Sequence, residues 1–263
     1  MNLREKMKKG PVFGVTCYTG APCVVEAIGN WGYDFVYLDL EHCPLEGDSD
    51  IEKLILSARN AHVSPLVRTS CIDEIQIRKC LEMGAEGVVV PHCRAKADID
   101  KIIKNAKFPP IGRRGGESNV RSGNFGGPEF SWSDYTQKSN EDTLIIPMDE
   151  DYEFTENIQE ILDTPCIDAV NFGPIDYALS VGAQVGYKIT DSRVKDAYAT
   201  LAKEAAMRDI GIMAPVVPSS KSDIEAAVKR GITMLILGND MLYVQNALRS
   251  MHDDVEMVRK QFC

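Results

Sequence analysis

The sequence predicts a (β/α)₈ barrel, on the strength of three observations. Short apolar strand patterns alternate with longer helical patterns along the whole chain of 263 residues, and eight such units are present. This alternation is typical of a parallel sheet with helical crossovers, and eight units in about 250 residues match the size of such a barrel. Acidic and basic side chains also recur just after the strands, at one end of the sheet. A doubly wound open sheet is the alternative.

The predicted strands are short and rich in β-branched and aliphatic residues, which favour extended structure. They are Val12–Cys17, Phe35–Leu40, Pro65–Arg68, Gly87–Pro91, Thr143–Met148, Ala169–Phe172, Gly211–Pro215 and Met234–Leu237. Helical periodicity fills the intervals Ala21–Asn30, Ile51–Asn60, Asp73–Met83, Lys96–Ala106, Glu153–Leu162, Ser192–Arg208 and Ser219–Lys229. Capping residues support several helix ends: Asp73 and Ser219 at N-termini, and Gly84 and Gly231 just past C-termini.

Two segments lie outside the repeat. Phe108 to Gly127 is rich in glycine and proline and carries three arginines, so it is interpreted as a long functional loop after the fourth strand. Asp240 to Cys263 has a mixed apolar pattern that predicts a last helix able to pack against a neighbouring subunit. Because no linker or low-complexity tract occurs, residues 1–263 are expected to form a single domain.

Composition narrows the class of protein. The net charge of −10 argues against nucleic acid or an anionic membrane as the partner. The eight cysteines include no Cys-x-x-Cys pair, as expected for reduced thiols in the cytoplasm. No apolar run approaches 18 residues, and no signal-peptide pattern is found at the N-terminus, so a cytoplasmic protein is expected.

The second strand ends in a group of ionisable residues. Side chains alternate across a strand, so Tyr37, Asp39 and Glu41 share one face, opposite Val36, Leu38 and Leu40. His42 follows directly. Two carboxylates and an imidazole in four residues have the chemistry to hold and orient a base and to bind a metal through water. A polar strand end that faces solvent is the alternative.

Further candidate groups follow the other strands. Arg68 has the charge to hold a carboxylate or a developing enolate oxygen, although a structural salt bridge to Asp39 or Glu41 explains it equally well. His92 follows the fourth strand, where a lone histidine is more often a hydrogen-bonded structural residue than a ligand. Glu150 and Asp176 follow neighbouring strands, and two oxygen ligands suit Mg²⁺ or Mn²⁺. Two unrelated solvated acids are the alternative, and the flanking Asp149 and Asp151 leave the identity of the ligand open.

Six collinear segments resemble the HpcH/HpaI family of metal-dependent class II aldolases, which includes hydroxy-heptanedioate aldolase and 2-keto-3-deoxyglucarate aldolase. Together they span nearly the whole chain: Tyr33-Asp-Phe-Val-Tyr-Leu-Asp-Leu-Glu-His42, Pro65-Leu-Val-Arg68, Met83-Gly-Ala-Glu-Gly-Val-Val-Val-Pro91, Pro109-Pro-Ile-Gly-Arg-Arg-Gly115, Glu156-Asn-Ile-Gln-Glu-Ile161 and Gly173-Pro-Ile-Asp176. Each segment is weak evidence by itself, but six in order are a specific signal.

The resemblance implies a (β/α)₈ barrel, usually hexameric, whose last helix is exchanged between subunits. It also implies reversible cleavage of a 4-hydroxy-2-keto acid to pyruvate and an aldehyde, with Mg²⁺, Mn²⁺ or Co²⁺ as a Lewis acid. By the same resemblance each site residue receives a role: metal ligands Glu150 and Asp176, substrate-binding Arg68, base His42, orienting acid Asp39, and carboxylate-binding amides at Ile175 and Asp176.

The chain also departs from the family pattern. Met148-Asp149 stands where the family usually has Gln-Ile, and Cys43 stands where it has a glycine. Ile175 stands in place of the usual alanine, and Tyr177 in place of the usual leucine. We expect Met148 to remove a polar contact to the substrate and Asp149 to add negative charge beside the metal. The metal site should persist while substrate preference changes. The alternatives are a lyase acting on oxaloacetate or on a citrate-type acyl ester, and a non-catalytic barrel that binds a keto acid.

Overall fold

The predicted barrel is confirmed. The computed structural model describes residues 1–45, 47–185 and 190–262, and within these ranges eight parallel strands close on themselves in sequence order, the last pairing with the first. The strands are β1 (Val12–Cys17), β2 (Phe35–Asp39), β3 (Ser64–Arg68), β4 (Gly87–Val90), β5 (Leu144–Asp149), β6 (Ala169–Phe172), β7 (Gly211–Pro215) and β8 (Met234–Asn239). The closed order rules out the open-sheet alternative.

Helices surround the barrel. They are α1 (Leu3–Met7), α2 (Pro22–Asn30), α3 (Asp48–Asn60), α4 (Glu74–Met83), α5 (Lys96–Ala106), α6 (Trp132–Asp142), α7 (Tyr152–Glu156), α8 (Ile158–Leu162), α9 (Pro174–Ser180), α10 (Ser192–Ala206), α11 (Lys221–Lys229) and α12 (Asp240–Phe262). A 3₁₀ helix spans Arg121–Gly126. None of the helices in the described ranges has the length and apolarity needed to cross a membrane.

Most predicted boundaries lie within two or three residues of the observed ones, and the differences have local causes. The single helix predicted over 153–162 is divided at Asn157 into the two short helices α7 and α8. The residue that caps the start of α11 is Ser220, not the predicted Ser219. Helices α1, α6 and α9 were not predicted. Helix α6 has no buried residue, so it lacks the apolar periodicity by which a helix is recognised.

Side-chain alternation divides the interior into two layers. Phe35 and Tyr37 point into the barrel, whereas Val36 and Leu38 pack between the barrel and the helices. This is the alternation that the sequence of β2 predicts. The barrel interior is largely apolar up to Met148, and the charged side chains lie beyond it, at the carboxyl end of the strands.

The glycine- and proline-rich segment 108–127 lies elsewhere than expected. It follows helix α5, not strand β4, and so belongs to the amino-terminal end of β5. There Lys107 Nζ donates to the carbonyl of Thr143, and the Arg114 guanidinium lies 4.7 Å from the Phe108 ring centroid. No residue of this segment lines the cavity at the barrel mouth in the described part of the chain. Within this chain the segment begins at the barrel's other end and runs outside the barrel as far as α3, where Arg121 Nη2 lies 2.9 Å from Glu52 Oε1. Its predicted place after the fourth strand is therefore wrong, and its role as a functional loop stays a prediction.

The last helix leaves an apolar surface uncovered. Helix α12 is anchored at its start by Asp240, which accepts hydrogen bonds from the backbone amides of Tyr18 and Thr19. Beyond that anchor its apolar side chains are exposed, including Leu248 and Phe262. The predicted helix is therefore present as Asp240–Phe262, and Cys263 lies outside the described residues.

Candidate active site

A cavity of about 410 Å³ opens at the carboxyl end of the barrel. Five residues singled out from the sequence line it: His42, Arg68, Met148, Ile175 and Asp176. Asp39 and Glu150 are buried beside it. The barrel thus brings to one place side chains that follow strands β2, β3, β5 and β6. Parallel strands all end at the same rim, which is why such distant residues meet.

Arg68 is held from behind by two acids. Its Nε lies 2.8 Å from Asp39 Oδ1 and its Nη1 lies 2.7 Å from Glu41 Oε2. The register of β2 and β3 pairs residues 39 and 68 directly. Burial alone would lower the pKa of Arg68, but Tyr37, Asp39 and Glu41 raise it, so the guanidinium stays charged. The structural salt bridge is therefore real, and it presents a fixed cation to the cavity.

His42 stands at the cavity edge with its side chain 57% exposed. Its Nε2 lies 3.8 Å from Glu41 Oε2. Asp39 accepts a hydrogen bond from the backbone amide of His42, at 3.4 Å, and not from its imidazole. Asp39 therefore fixes the backbone turn that carries His42. The resemblance implied a different role, in which Asp39 orients the imidazole ring itself.

Glu150 belongs to a close cluster with Glu41 and His92. The backbone amide of His92 donates to Glu150 Oε1 at 2.8 Å, and His92 Nε2 lies 3.4 Å from Glu41 Oε1. One potential ligand atom from each of the three residues lies within 4.8 Å of the others. From the sequence, Glu41 was expected to bind a metal only through water, together with Asp39 and His42, and His92 was interpreted as more often structural than a ligand. Their positions after β2 and β4, at the same rim, were the available signal.

The electrostatics around Glu150 favour a bound cation. The Glu150 side chain is 1% exposed, and burial raises the pKa of Glu150 to about 7, with further upward pressure from the charges of Glu41 and Asp176. Asp176 therefore lies near enough to repel Glu150, although it stands outside the close cluster. A Cβ on Gly173 would meet Glu150 Oε2 at 2.9 Å, so this glycine leaves the room that the carboxylate occupies.

Asp149 contradicts the expectation that it adds charge beside a metal. Met148 points into the barrel, so Asp149 points to the opposite face, beside Thr155 and Tyr177. Its side chain is fully buried, and neither carboxylate oxygen has a hydrogen-bond partner by geometry among the described residues. Burial raises the pKa of Asp149 well above its usual range, against a hydrogen bond with Thr155 that lowers it, so the site favours the uncharged carboxyl group.

An amide in the cavity wall was missed by the sequence analysis. Asn171 is the register partner of Met148 on β6, and its Nδ2 donates to Tyr37 Oη at 3.3 Å. Its Oδ1 is buried without a hydrogen-bond partner in the ranges that the structure describes. The family pattern has a glutamine at residue 148, where this chain has methionine. The side-chain amide of Asn171, on the neighbouring strand, lies next to that position. Only the strand register reveals this pairing.

A parallel barrel with a fixed cation, a carboxylate–histidine cluster and a cavity at the carboxyl rim has the architecture of a (β/α)₈-barrel enzyme, whose active site lies at that rim. The chain belongs to the HpcH/HpaI aldolase/citrate lyase family, whose family model matches residues 18–247. The resemblance inferred from the six segments is therefore confirmed.

Individual relatives agree with this assignment. The chain is 25% identical over 260 residues to the hydroxypyruvate/pyruvate aldolase of Paraburkholderia phytofirmans, covering 96% of each chain. It is 25% identical over 232 residues to the 5-keto-4-deoxy-D-glucarate aldolase of Escherichia coli, covering 88% of this chain and 87% of that protein. The crystal structure of an HpcH/HpaI aldolase from Desulfitobacterium hafniense is similar with a TM-score of 0.87 at 26% identity, and 97% of each chain is covered.

Proposed function

We propose that this protein is a divalent-metal-dependent aldolase that reversibly cleaves a 4-hydroxy-2-keto acid to pyruvate and an aldehyde. The observation that carries the proposal is the position of Glu150, a buried carboxylate beside a cavity that also contains a charged, immobilised arginine. One group suits a metal and the other suits an anionic substrate oxygen.

The residues present fit a divalent metal. Glu150 and Asp176 are the proposed ligands, since both are carboxylates at the same rim and Asp176 is near enough to raise the pKa of Glu150. The space at Gly173 admits the Glu150 carboxylate, and carboxylate oxygens suit Mg²⁺ and Mn²⁺, with Co²⁺ as a further candidate. When bound, such a metal supplies Lewis-acid polarisation of the keto oxygen.

The chain's own groups then account for the proton and charge movements. We assign His42, whose imidazole is at the cavity edge, to remove the proton of the 4-hydroxyl group, through water. As the C3–C4 bond breaks, its electron pair forms the enolate of pyruvate and the aldehyde leaves. Arg68 is held by Asp39 and Glu41 so that it can donate to the negative oxygen without rearranging. Protonation at C3 releases pyruvate.

The substrate carboxylate is assigned to the turn after β6. The backbone amides of Ile175 and Asp176 are the proposed donors, and the side chains of both residues line the cavity. Met148 forms part of the inner wall, next to Tyr37. The exposed Ile175, larger than the alanine of the family pattern, narrows the space for the aldehyde portion.

Pyruvate release from a panel of 4-hydroxy-2-keto acids and from oxaloacetate tests the proposal, with added Mn²⁺ and after chelation. Metal-dependent pyruvate from the hydroxy acids is the expected result. Glu150→Gln and Asp176→Asn should abolish it, whereas Glu160→Gln, the same change at an exposed position of α8, should not. Release from oxaloacetate alone would replace the aldolase by a decarboxylase. Pyruvate that is unaffected by chelation would refute the metal-dependent mechanism.

The assembly and location are further proposals. We propose a single domain over residues 1–263 that forms a hexamer by exchange of α12, supported by the uncovered apolar side chains of that helix. Light scattering of the full-length protein during size-exclusion chromatography should give the mass of six chains. The described cysteines are all free thiols, which supports a reducing, cytoplasmic location.

A further inference from the structure

His92 occupies an uncommon backbone conformation at the end of β4. Its φ of 54° lies in the left-handed region, which costs a residue with a Cβ about 1–2 kcal/mol. This conformation accompanies two contacts at once: the backbone amide donates to Glu150, and the ring lies between Glu41 and Asp151. Strain of this kind persists where the surrounding contacts require it.

The two ring nitrogens of His92 have different environments. Nδ1 lies 3.0 Å from Asp151 Oδ2, and this oxygen also accepts a hydrogen bond from Arg94 Nε at 3.0 Å. The hydrogen bond to Asp151 assigns the ring proton to Nδ1, because a carboxylate oxygen only accepts. Nε2 lies 3.4 Å from Glu41 Oε1 and has no contact with Asp151, so it is the nitrogen left to bind an ion, while Nδ1 is the nitrogen that lies 3.6 Å from Glu150 Oε1. An acid that holds the far nitrogen of a histidine is the usual support for a metal-ligating histidine.

The gap between His92 and Glu41 supports the same interpretation. A protonated ring that paired directly with Glu41 would approach to about 2.7–2.9 Å. The Nε2–Oε1 distance is 3.4 Å, longer than such a bond, while the other Glu41 oxygen is already occupied by Arg68 at 2.7 Å. One ring nitrogen of His92 and one carboxylate oxygen each of Glu41 and Glu150 lie within 4.8 Å of one another. Around an ion with bonds of about 2.1 Å, neighbouring ligand atoms are about 3.0 Å apart and opposite ones about 4.2 Å, so small side-chain adjustments suffice.

We propose that His92, through Nε2, is a direct protein ligand of the divalent metal, beside Glu150 and oriented by Asp151. This inference rests on the metal-dependent function proposed above and adds a nitrogen donor to the two carboxylates. A nitrogen donor binds transition-metal ions such as Mn²⁺ and Co²⁺ better than Mg²⁺, which prefers oxygen. His92 therefore sets the metal preference of the site.

Pulsed electron paramagnetic resonance of Mn²⁺ bound to the full-length protein tests the proposal, since it detects ¹⁴N coupling from a coordinated imidazole. The wild type should show this coupling, and His92→Asn should remove it while still binding Mn²⁺ through the carboxylates. Asparagine is chosen because it tolerates the left-handed region. His62→Asn is the matched control: His62 is exposed, has a φ of 57°, and lies outside the site, so the coupling should remain.

Calorimetric titration with Co²⁺ and Mg²⁺ provides a second readout. The ratio of Co²⁺ to Mg²⁺ affinity should fall by about tenfold in His92→Asn and stay the same in His62→Asn. An unchanged ratio in His92→Asn overturns the ligand assignment, as does ¹⁴N coupling that survives this substitution. Mn²⁺ that binds to the wild type without ¹⁴N coupling, and is lost in Glu150→Gln, supports the proposed function and overturns only the role of His92. Absence of Mn²⁺ binding to the wild type overturns both.

Discussion

Replacement of Arg68 by methionine should be costly to the fold as well as to activity. The change leaves Asp39, which is fully buried, without its charge partner, and Glu41 loses its 2.7 Å contact. Breaking a buried ion pair by removing one partner costs about 3–5 kcal/mol. For a chain of this size, each kcal/mol lowers the melting temperature by about 2–4 °C, so a fall of about 6–20 °C is expected.

A double variant separates the structural from the catalytic role. In Arg68→Met with Asp39→Leu, the buried pair is replaced by apolar side chains, and most of the lost stability should return because the fully buried Asp39 charge is removed, while Glu41 keeps its neighbour His92 at 3.4 Å. Pyruvate release should stay absent, since no cation faces the cavity. Calorimetric melting of the single and double variants, with steady-state kinetics of the double variant, provides the measurements.

Two results would refute this reasoning. A single Arg68→Met variant that melts within 2 °C of the wild type would show that Asp39 is not dependent on Arg68. A stable double variant with wild-type turnover would show that the arginine only neutralises Asp39 and has no part in the chemistry.

Three further predictions follow from buried groups. Asp149→Leu should raise stability by about 1–3 kcal/mol in thermal unfolding, because it removes a buried carboxyl that has no hydrogen-bond partner by geometry among the described residues, and Mn²⁺ affinity should not change; destabilisation would show that the neighbouring Thr155 holds this carboxyl. Gly173→Ala should weaken Mn²⁺ binding in a titration, because its Cβ would displace the Glu150 carboxylate, and unaltered affinity would contradict the fit described above. Asp240→Asn should cost about 1.5–3 kcal/mol at pH 7. Burial alone would raise the pKa of Asp240, but hydrogen bonds from Thr19 and neighbouring amides lower it, so this stabilisation is present at neutral pH and lost as the pH falls through the lowered pKa; melting curves at several pH values should show the variant and wild type converge in acid.

The sequence by itself determined the barrel and the end at which its chemistry lies. Eight strand–helix units and the period-two pattern of β2 are local properties, set by backbone geometry and side-chain burial, and both are confirmed. The same period-two rule places Met148 and Asp149 on opposite faces of β5, so the outward direction of Asp149 was accessible from sequence. Helix α6 was missed because nothing in it is buried, so burial leaves no periodic pattern in its sequence.

Only the tertiary structure decided which groups touch. Glu41, His92 and Glu150 follow three different strands, and their proximity depends on closure of the barrel and on how far each side chain reaches past the rim. Asn171 and Met148 are neighbours because of the register in which β5 and β6 pair. The residues of either strand alone do not determine that register. The segment 108–127 shows the same limit, because its residue types suit a functional loop equally well at either end of a barrel. Contacts across strands arise from packing of the whole chain, whereas sequence patterns report what each segment does alone.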